Sequence, residues 1–236
     1  MPMRRCVSVF LLIIFSVRIA SITVSGVSPA SETEKSVYSS HENESRKIAI
    51  TFDDGPHPRY TAEILDILAE HGAHATFFII GDNAKNYPDL LSRIQKEGHE
   101  IGNHTYLHRN LQKTTPDIIR KQILDAEQTI LELTDQRTKL LRPPGGLYDQ
   151  EVCDTARSLD YEVILWTIDT KDWTHPTVDE IVEKVEANIK TGDIILCHDF
   201  IGGGSTPTPD ALRRIIPDLT REGYEFVTVS ELIHSK

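Results

Sequence analysis

Between residue 47 and the C-terminus, short apolar segments alternate with amphipathic segments of helical period, and this alternation constrains the fold most strongly. The apolar segments predict strands at 47–52, 74–80, 99–103, 139–142, 161–169, 193–198 and 224–229. The segments between them predict helices at 61–71, 88–97, 116–133, 149–159, 177–189 and from 208 onward. Such alternation is typical of a parallel sheet covered by helices. The sheet could be doubly wound or closed into a barrel, and in either case reactive side chains collect at the carboxyl ends of the strands.

The N-terminal residues have a different composition from the rest of the chain. Residues 1–30 contain no acidic residue. Arg4 and Arg5 make the N-terminus basic, and an apolar run follows at 7–17. This organisation predicts a secretory signal cleaved near Ala30, because a membrane-spanning helix needs about 20 apolar residues. Residues 31–46 are polar and aperiodic and predict a linker, which leaves a single domain at 47–236. We expect a secreted or extracytoplasmic protein, or a membrane-anchored one if the signal is not cleaved.

Charge and cysteine content narrow the expected partners and the redox chemistry. The chain has 36 acidic and 25 basic residues and a formal net charge of −11, which argues against a nucleic-acid partner. We expect a monomer without an obligate protein partner. After signal cleavage, Cys153 and Cys197 would remain, and two buried thiols are expected, with a disulfide between them as the alternative.

Polar side chains follow the first and third predicted strands directly. Asp53 and Asp54 end the first strand before a Gly-Pro turn, and two adjacent carboxylates are tolerated best beside a cation. An Asx turn that merely closes the strand is the alternative. His104 and His108 follow the third strand at the spacing of one face of a helical turn, which suits one metal ion. Histidine and carboxylate ligands together favour zinc and neighbouring transition metals over calcium.

Three further strand ends carry residues with chemical potential. Arg142 precedes a Pro-Pro-Gly-Gly loop, which either turns the chain or presents a backbone N–H to a ligand. Asp172 and Trp173 follow the fifth strand, and the sixth ends at His198, a candidate general acid or a structural histidine. Each signal alone is weak, but five strand ends together predict an active site.

The segments TFDDGP, HTYLH, RPPGG, DTKDW and LCH, in this order, resemble the five motifs of the NodB-homology polysaccharide deacetylases, carbohydrate esterase family 4. The resemblance covers about residues 46–234. It implies a distorted (β/α)7 barrel, with the active site at the carboxyl ends of the strands. It also implies metal-dependent removal of N-acetyl groups from a polysaccharide or oligosaccharide, which is hydrolysis of a linear amide.

The resemblance implies a role for each matching residue. Asp54, His104 and His108 would hold a divalent metal, usually zinc in this family, although cobalt or another transition metal is possible. Asp53 would be the base that activates water, oriented by Arg142, and His198, oriented by Asp172, would protonate the leaving amine. Four residues would complete the site: Gly145 as a backbone oxyanion donor, Leu196 and Trp173 in the substrate pocket, and Thr105 as a brace for the histidine loop. Many relatives have a bulky residue where Gly145 stands.

Three functions fit these motifs. The first is N-deacetylation of GlcNAc units in peptidoglycan or chitooligosaccharide. The second is O-acetyl esterase activity on xylan, because the same site can attack an ester. The third, which the complete set of motif residues disfavours, is an inactive carbohydrate-binding relative.

Overall fold

A computed structural model describes residues 37–41, 45–200 and 205–234, which belong to one compact unit. The predicted signal at 1–30 lies outside the described residues. The strands are Val37–Tyr38 (β1), Lys47–Asp53 (β2), Thr76–Ile79 (β3), Glu100–Asn103 (β4), Leu140–Leu141 (β5), Glu162–Ile164 (β6), Ile168–Asp169 (β7), Ile194–His198 (β8) and Glu225–Phe226 (β9). The helices are Tyr60–His71 (α1), Gly81–Asn86 (α2), Pro88–Lys96 (α3), Pro116–Thr134 (α4), Gln150–Ser158 (α5), Val178–Glu186 (α6), Thr208–Arg221 (α7) and Val229–Ile233 (α8).

The strands form one curled sheet in the order β1-β6-β5-β4-β3-β2-β8-β7, with β9 paired to β2, and all these pairs are parallel. The predicted α/β class is confirmed, and the barrel is incomplete. Its opening lies within the predicted strand 161–169, which divides into β6 and β7. Leu165 N donates to Tyr38 O, whereas Thr167 N donates to Ile194 O, so the two halves join different neighbours.

The segment 37–41 belongs to the sheet, although the sequence assigned it to the polar linker 31–46. Val37 and Tyr38 pair with β6, Ser40 forms an antiparallel bridge with Asp193, and His41 N donates to Gly192 O at 2.9 Å. The segment therefore runs from β6 to the start of β8, across the opening of the barrel. The prediction missed it because backbone hydrogen bonds along a free strand edge need no apolar side chains.

Strand alternation decides which residues face the interior of the barrel. In β2, Ile48, Ile50 and Phe52 pack outward in the main apolar core with the surrounding helices, whereas Ala49 belongs to a second cluster. Asp53 has the same parity as Ala49 and therefore faces the barrel interior. Helix α8, which the sequence did not predict, adds Leu232 to this second cluster.

Local signals set several helix boundaries as predicted. Gly72 ends α1 in a left-handed conformation with φ of 61°, and Thr177 and Glu180 form the capping box that starts α6. Cys153 and Cys197 are both buried and free, which confirms the expected thiols. Across residues 37–41, 45–200 and 205–234, no helix combines the length and apolar character required to cross a membrane.

The burial of His99 is expected to make the stability of the fold decrease at acid pH. It is 7% exposed, and neither ring nitrogen has a hydrogen-bond partner among the described residues. Burial, reinforced by the charge of His74, lowers the pKa of His99 to about 4. Since the unfolded chain binds this proton more readily, its contribution to stability is complete above pH 6.5 and is lost as pH falls toward 4. A shift of this size corresponds to roughly 3 kcal/mol.

We expect His99→Leu to flatten the fall in unfolding free energy between pH 6.5 and pH 4.5, measured by urea denaturation. His71→Leu, which changes an exposed histidine at the end of α1, is the control and should keep the wild-type pH dependence. An unchanged slope in His99→Leu would show that this imidazole does not carry the acid sensitivity.

Candidate active site

A cavity of about 410 Å³ opens at the carboxyl ends of the strands, where the sequence places the reactive residues. It brings together residues that are up to 147 positions apart in the chain. Every predicted catalytic and metal-binding side chain lines the cavity except Arg142 and Asp172, which lie behind it. The lining residues are Asp53, Asp54, His104, His108, Gly145, Trp166, Asp169, Trp173, Leu196, His198 and Phe200.

Asp54, His104 and His108 converge on one point. Oδ1 of Asp54 lies 3.4 Å from Nε2 of His104 and 3.2 Å from Nε2 of His108. The three ligand atoms lie within 4.8 Å of one another. Burial works to raise the pKa of Asp54, but the neighbouring imidazoles of His104 and His108 bring it below its usual value. The three residues predicted as metal ligands are therefore placed together.

The histidine loop is not the helical turn that the i, i+4 spacing indicated. Thr105 and His108 adopt left-handed backbone conformations, with φ of 67° and 53°. Asn103 Oδ1 accepts from Thr105 N, and Thr105 Oγ1 accepts from His108 N at 3.1 Å. Thr105 thus makes two hydrogen bonds within the loop, one through its backbone and one through its side chain. The side-chain hydrogen bonds produce the convergence that a helix would otherwise provide.

The residues of this cluster fit a divalent cation. Nδ1 of His104 lies 2.7 Å from the carbonyl oxygen of Arg142, so Nδ1 carries the proton and Nε2 offers its lone pair to the cluster. Oδ1 of Asp54 is buried and has no hydrogen-bond partner among the described residues. Ligand atoms at bond lengths of about 2.1 Å around a tetrahedral ion are about 3.4 Å apart, close to the two separations between Asp54 and the histidines.

Asp53 lies beside the cluster with its two oxygens in different environments. Oδ1 accepts from Nη1 of Arg142 at 2.7 Å, and Oδ2 lies 3.7 Å from Nε2 of His104. Arg142 is fully buried and also donates to Thr51 Oγ1 and to the carbonyl oxygens of Ile164 and Leu165. These bonds fix the guanidinium, which in turn fixes the orientation of Asp53.

His198 lies directly opposite Asp53 in the β2–β8 pairing. Its Nδ1 lies 2.7 Å from Oδ1 of buried Asp172, whose Oδ2 accepts from His198 N and from Thr208 Oγ1. Burial alone would lower the pKa of His198, but the hydrogen bond and charge of Asp172 raise it to about 9. The imidazole is therefore protonated at neutral pH, and it lines the cavity.

The remaining predicted residues line the cavity. Gly145 has φ of 63°, and a side chain at the next residue, Gly146, would meet the Trp166 ring at 2.6 Å. Leu196 is buried at the cavity wall, whereas Trp173 is 53% exposed at the cavity mouth. The glycines therefore bring the loop backbone close to the cavity, as the Pro-Pro-Gly-Gly sequence suggested.

Three lining residues, Trp166, Asp169 and Phe200, were not predicted. Trp166 also lies over the Arg142 guanidinium, 5.5 Å from ring centroid to Cζ. Trp166 and Asp169 belong to the predicted strand 161–169, and the break in that strand concealed which face they occupy. Phe200 lies two residues after His198, so its position after a strand end could have indicated that it lines the site.

Comparisons with known proteins identify the family. The sequence model of the polysaccharide deacetylase family matches residues 40–164. The peptidoglycan-N-acetylglucosamine deacetylase of Bacillus cereus is 43% identical over 196 residues, covering 82% of this chain and 91% of that protein. The chain belongs to the polysaccharide deacetylase family. The family and the enzyme class predicted from the five motifs are thereby confirmed.

A second sequence relative and a solved structure also resemble this polysaccharide deacetylase. A chitooligosaccharide deacetylase of Bradyrhizobium is 36% identical over 198 residues, covering 79% of this chain and 90% of that protein. Among solved structures, the Bc1960 peptidoglycan N-acetylglucosamine deacetylase in complex with 4-naphthalen-1-yl-N-oxidanyl-benzamide superposes with a TM-score of 0.82 at 37% identity. That match covers 86% of this chain and 94% of the solved one.

Proposed function

We propose that this chain removes N-acetyl groups from GlcNAc units of peptidoglycan or a chitin-type oligosaccharide, using a divalent metal, most simply zinc. The observation that carries the proposal is the placement of Asp53 and His198 opposite each other on adjacent strands, beside the Asp54, His104 and His108 cluster. Amide hydrolysis needs a base, an acid for the leaving amine and an electrophile, and these residues provide a place for each.

A cation held by the cluster would polarise the acetyl carbonyl and make water nucleophilic at neutral pH. Asp53 accepts the proton of the attacking water on Oδ2, while Arg142 holds Oδ1. The new C–O bond forms as Gly145 N–H donates to the developing oxyanion. His198 then gives its proton to the leaving nitrogen, the C–N bond breaks, and Asp172 stabilises the imidazole through Nδ1. The products are acetate and a free amine on the sugar.

The substrate assignment rests on the cavity walls and on the relatives. Trp166, Trp173 and Phe200 offer aromatic surface to a sugar, and Leu196 offers an apolar contact for the acetyl methyl group. The relatives named above are peptidoglycan and chitooligosaccharide deacetylases, which favours GlcNAc over acetylated xylan. A chain-end or internal GlcNAc unit would therefore be attacked at its N-acetyl group.

The decisive experiment measures acetate released from defined GlcNAc oligomers, peptidoglycan fragments and acetyl-xylan by the zinc-loaded protein. We expect release from the first two substrates, with product masses lower by one acetyl group, and loss of release after chelation. Release from acetyl-xylan alone would favour the esterase. Acetate from none of the substrates would leave an inactive carbohydrate-binding relative, and full activity after complete metal removal would contradict the metal-dependent mechanism.

The His198–Asp172 pair predicts an alkaline limit to activity. Since His198 must be protonated to act as the acid, kcat/KM should fall as pH rises through about 9. Asp172→Asn removes the charge that raises the pKa of His198, so burial then lowers that pKa. We expect the alkaline limb of the pH–rate profile to move toward neutral pH in this variant. An alkaline limb at the same pH in both proteins would contradict the assignment.

We also propose that the protein acts outside the cytoplasm as a monomer. The basic start and apolar run of residues 1–30 support export, and all described residues belong to one compact unit. Expression of the full chain, N-terminal sequencing of the extracellular product and size-exclusion chromatography test this. An unprocessed chain in the membrane fraction would favour an anchor over a cleaved signal.

A further inference from the structure

Asp199 is a buried carboxylate that the proposed reaction does not use. It follows His198 at the end of β8, has no exposed surface, and its Oδ1 has no hydrogen-bond partner among the described residues. A buried, incompletely paired carboxylate costs free energy, so its presence calls for a compensating role.

The carboxylate of Asp199 lies against the turn that follows the metal-binding aspartate. A side-chain carbon placed at Gly55 would overlap all three carboxyl atoms of Asp199. The backbone N–H of Asp199 donates to the carbonyl oxygen of Asp53 at 3.2 Å. Asp199 therefore contacts the turn on both sides of Asp54, once through its backbone and once through its side chain.

Thr61 in the first turn of α1 fixes the orientation of this carboxylate. Its hydroxyl accepts from the backbone N–H of His57 at 2.7 Å, so its own proton points to Oδ2 of Asp199, 2.5 Å away. These two hydrogen bonds connect His57 to Asp199, at the end of β8, through Thr61 in α1. The Asp53 end of the Asp53–His57 turn is thus held by the backbone N–H of Asp199, and the His57 end by the Thr61 hydroxyl, which is bonded to the Asp199 carboxylate.

The turn needs support because Asp54 has a strained backbone. Its φ of 76° lies in the left-handed region, which costs a residue other than glycine about 1–2 kcal/mol. Asn83 donates to the carbonyl oxygen of Asp54, and Ile80 N donates to that of Gly55. Without the packing of Asp199 against Gly55, we expect Asp54 to relax and turn its carboxylate away from His104 and His108.

We infer that Asp199, together with Thr61, is a positioning residue that holds Asp54 in its metal-binding conformation. This inference rests on the proposed metal-dependent function. It acts through packing and hydrogen-bond acceptance, and because Oδ1 accepts no hydrogen bond from the described residues, an amide nitrogen in its place would break none. We therefore expect asparagine at position 199 to keep Asp54 in this conformation, and alanine to lose it.

The test measures zinc affinity of the full chain by competition with a chromophoric chelator, with acetate release and unfolding temperature followed in parallel. We expect Asp199→Ala to weaken zinc binding by about 10–100-fold and Asp199→Asn to stay within about threefold of the wild type. Thr61→Val, which keeps the side-chain volume, should weaken zinc binding about tenfold because it removes the same hydrogen bond. If Asp199→Ala does not fold, the zinc affinity of Thr61→Val tests the positioning role by itself.

Asp193→Ala is the matched control. Asp193 is buried at the other end of β8, where its Oδ2 accepts from Lys190 N. Its replacement should lower stability but leave zinc affinity unchanged. Wild-type affinity in Asp199→Ala or Thr61→Val, equal weakening in Asp193→Ala, or failure of asparagine to restore affinity would each overturn the inference. A wild-type chain that binds zinc but releases no acetate would overturn the proposed function alone, whereas one that binds no zinc would overturn both.

Discussion

Asp53→Asn is expected to lower kcat for GlcNAc deacetylation by about 10²–10⁴-fold while zinc remains bound. The asparagine can still present Oδ1 to Arg142, whose guanidinium is fixed by Thr51 and by backbone carbonyl oxygens. Its amide nitrogen then replaces Oδ2, the atom nearest His104, and cannot accept a proton. Acetate release and metal content should be measured on the same preparation.

His104→Ala provides the contrast to Asp53→Asn. It removes one of three ligand atoms, so we expect loss of both zinc and activity. Asp193→Asn, at the far end of β8, should change neither. Near-normal turnover in Asp53→Asn would show that another group accepts the proton, and loss of zinc in that variant would place Asp53 among the ligands.

His198→Ala is expected to slow amide cleavage by about 10²–10⁴-fold, and to slow cleavage of an activated acetyl ester much less. The leaving amine of an amide must be protonated, whereas a good alcohol leaving group departs without an acid. Because Asp172 raises the pKa of His198 to about 9, the wild-type imidazole is protonated at neutral pH. The measurement compares kcat/KM for a GlcNAc oligomer and an aryl acetate in the same zinc-loaded protein.

The ratio of the two rates separates the acid role from a structural one. A variant that disturbs the pocket should slow both substrates alike, and equal losses would contradict the assignment. His71→Ala changes an exposed histidine of α1 and should leave both rates at the wild-type level. Zinc content must also be equal in all three proteins, since loss of the cation would slow both reactions.

Much of the fold could be predicted because its signals are local. The period of apolar residues, the helix end at Gly72 and the capping box of Thr177 and Glu180 all depend on residues close in sequence. From these signals most strand and helix boundaries could be predicted to within a few residues. The segment 37–41 and the division of 161–169 were missed. Both depend on which distant backbone groups remain unpaired, which no local pattern contains.

The candidate site could be predicted as a set of residues but not as a geometry. Strand ends at Asp53, His104, Arg142 and His198 identified the reactive groups, and the five motifs assigned their roles. The i, i+4 spacing of His104 and His108 suggested a helical turn, whereas side-chain hydrogen bonds hold them in a left-handed loop. Trp166 and Asp199 carried no recognisable signal, since their importance comes from contacts with residues distant in sequence.

The sequence by itself determined the alternation of strands and helices, the family, and which carboxylates and imidazoles stand at strand ends. These depend on side-chain type and spacing, which are local properties of a chain. The motifs implied that Arg142 orients Asp53 and that Asp172 orients His198, but only the tertiary structure gave the contacts themselves, the raised pKa of His198 and the packing of Asp199 against Gly55. Those interactions act over a few ångströms between residues up to 144 positions apart, so they exist only once the sheet has curled and brought its strand ends together.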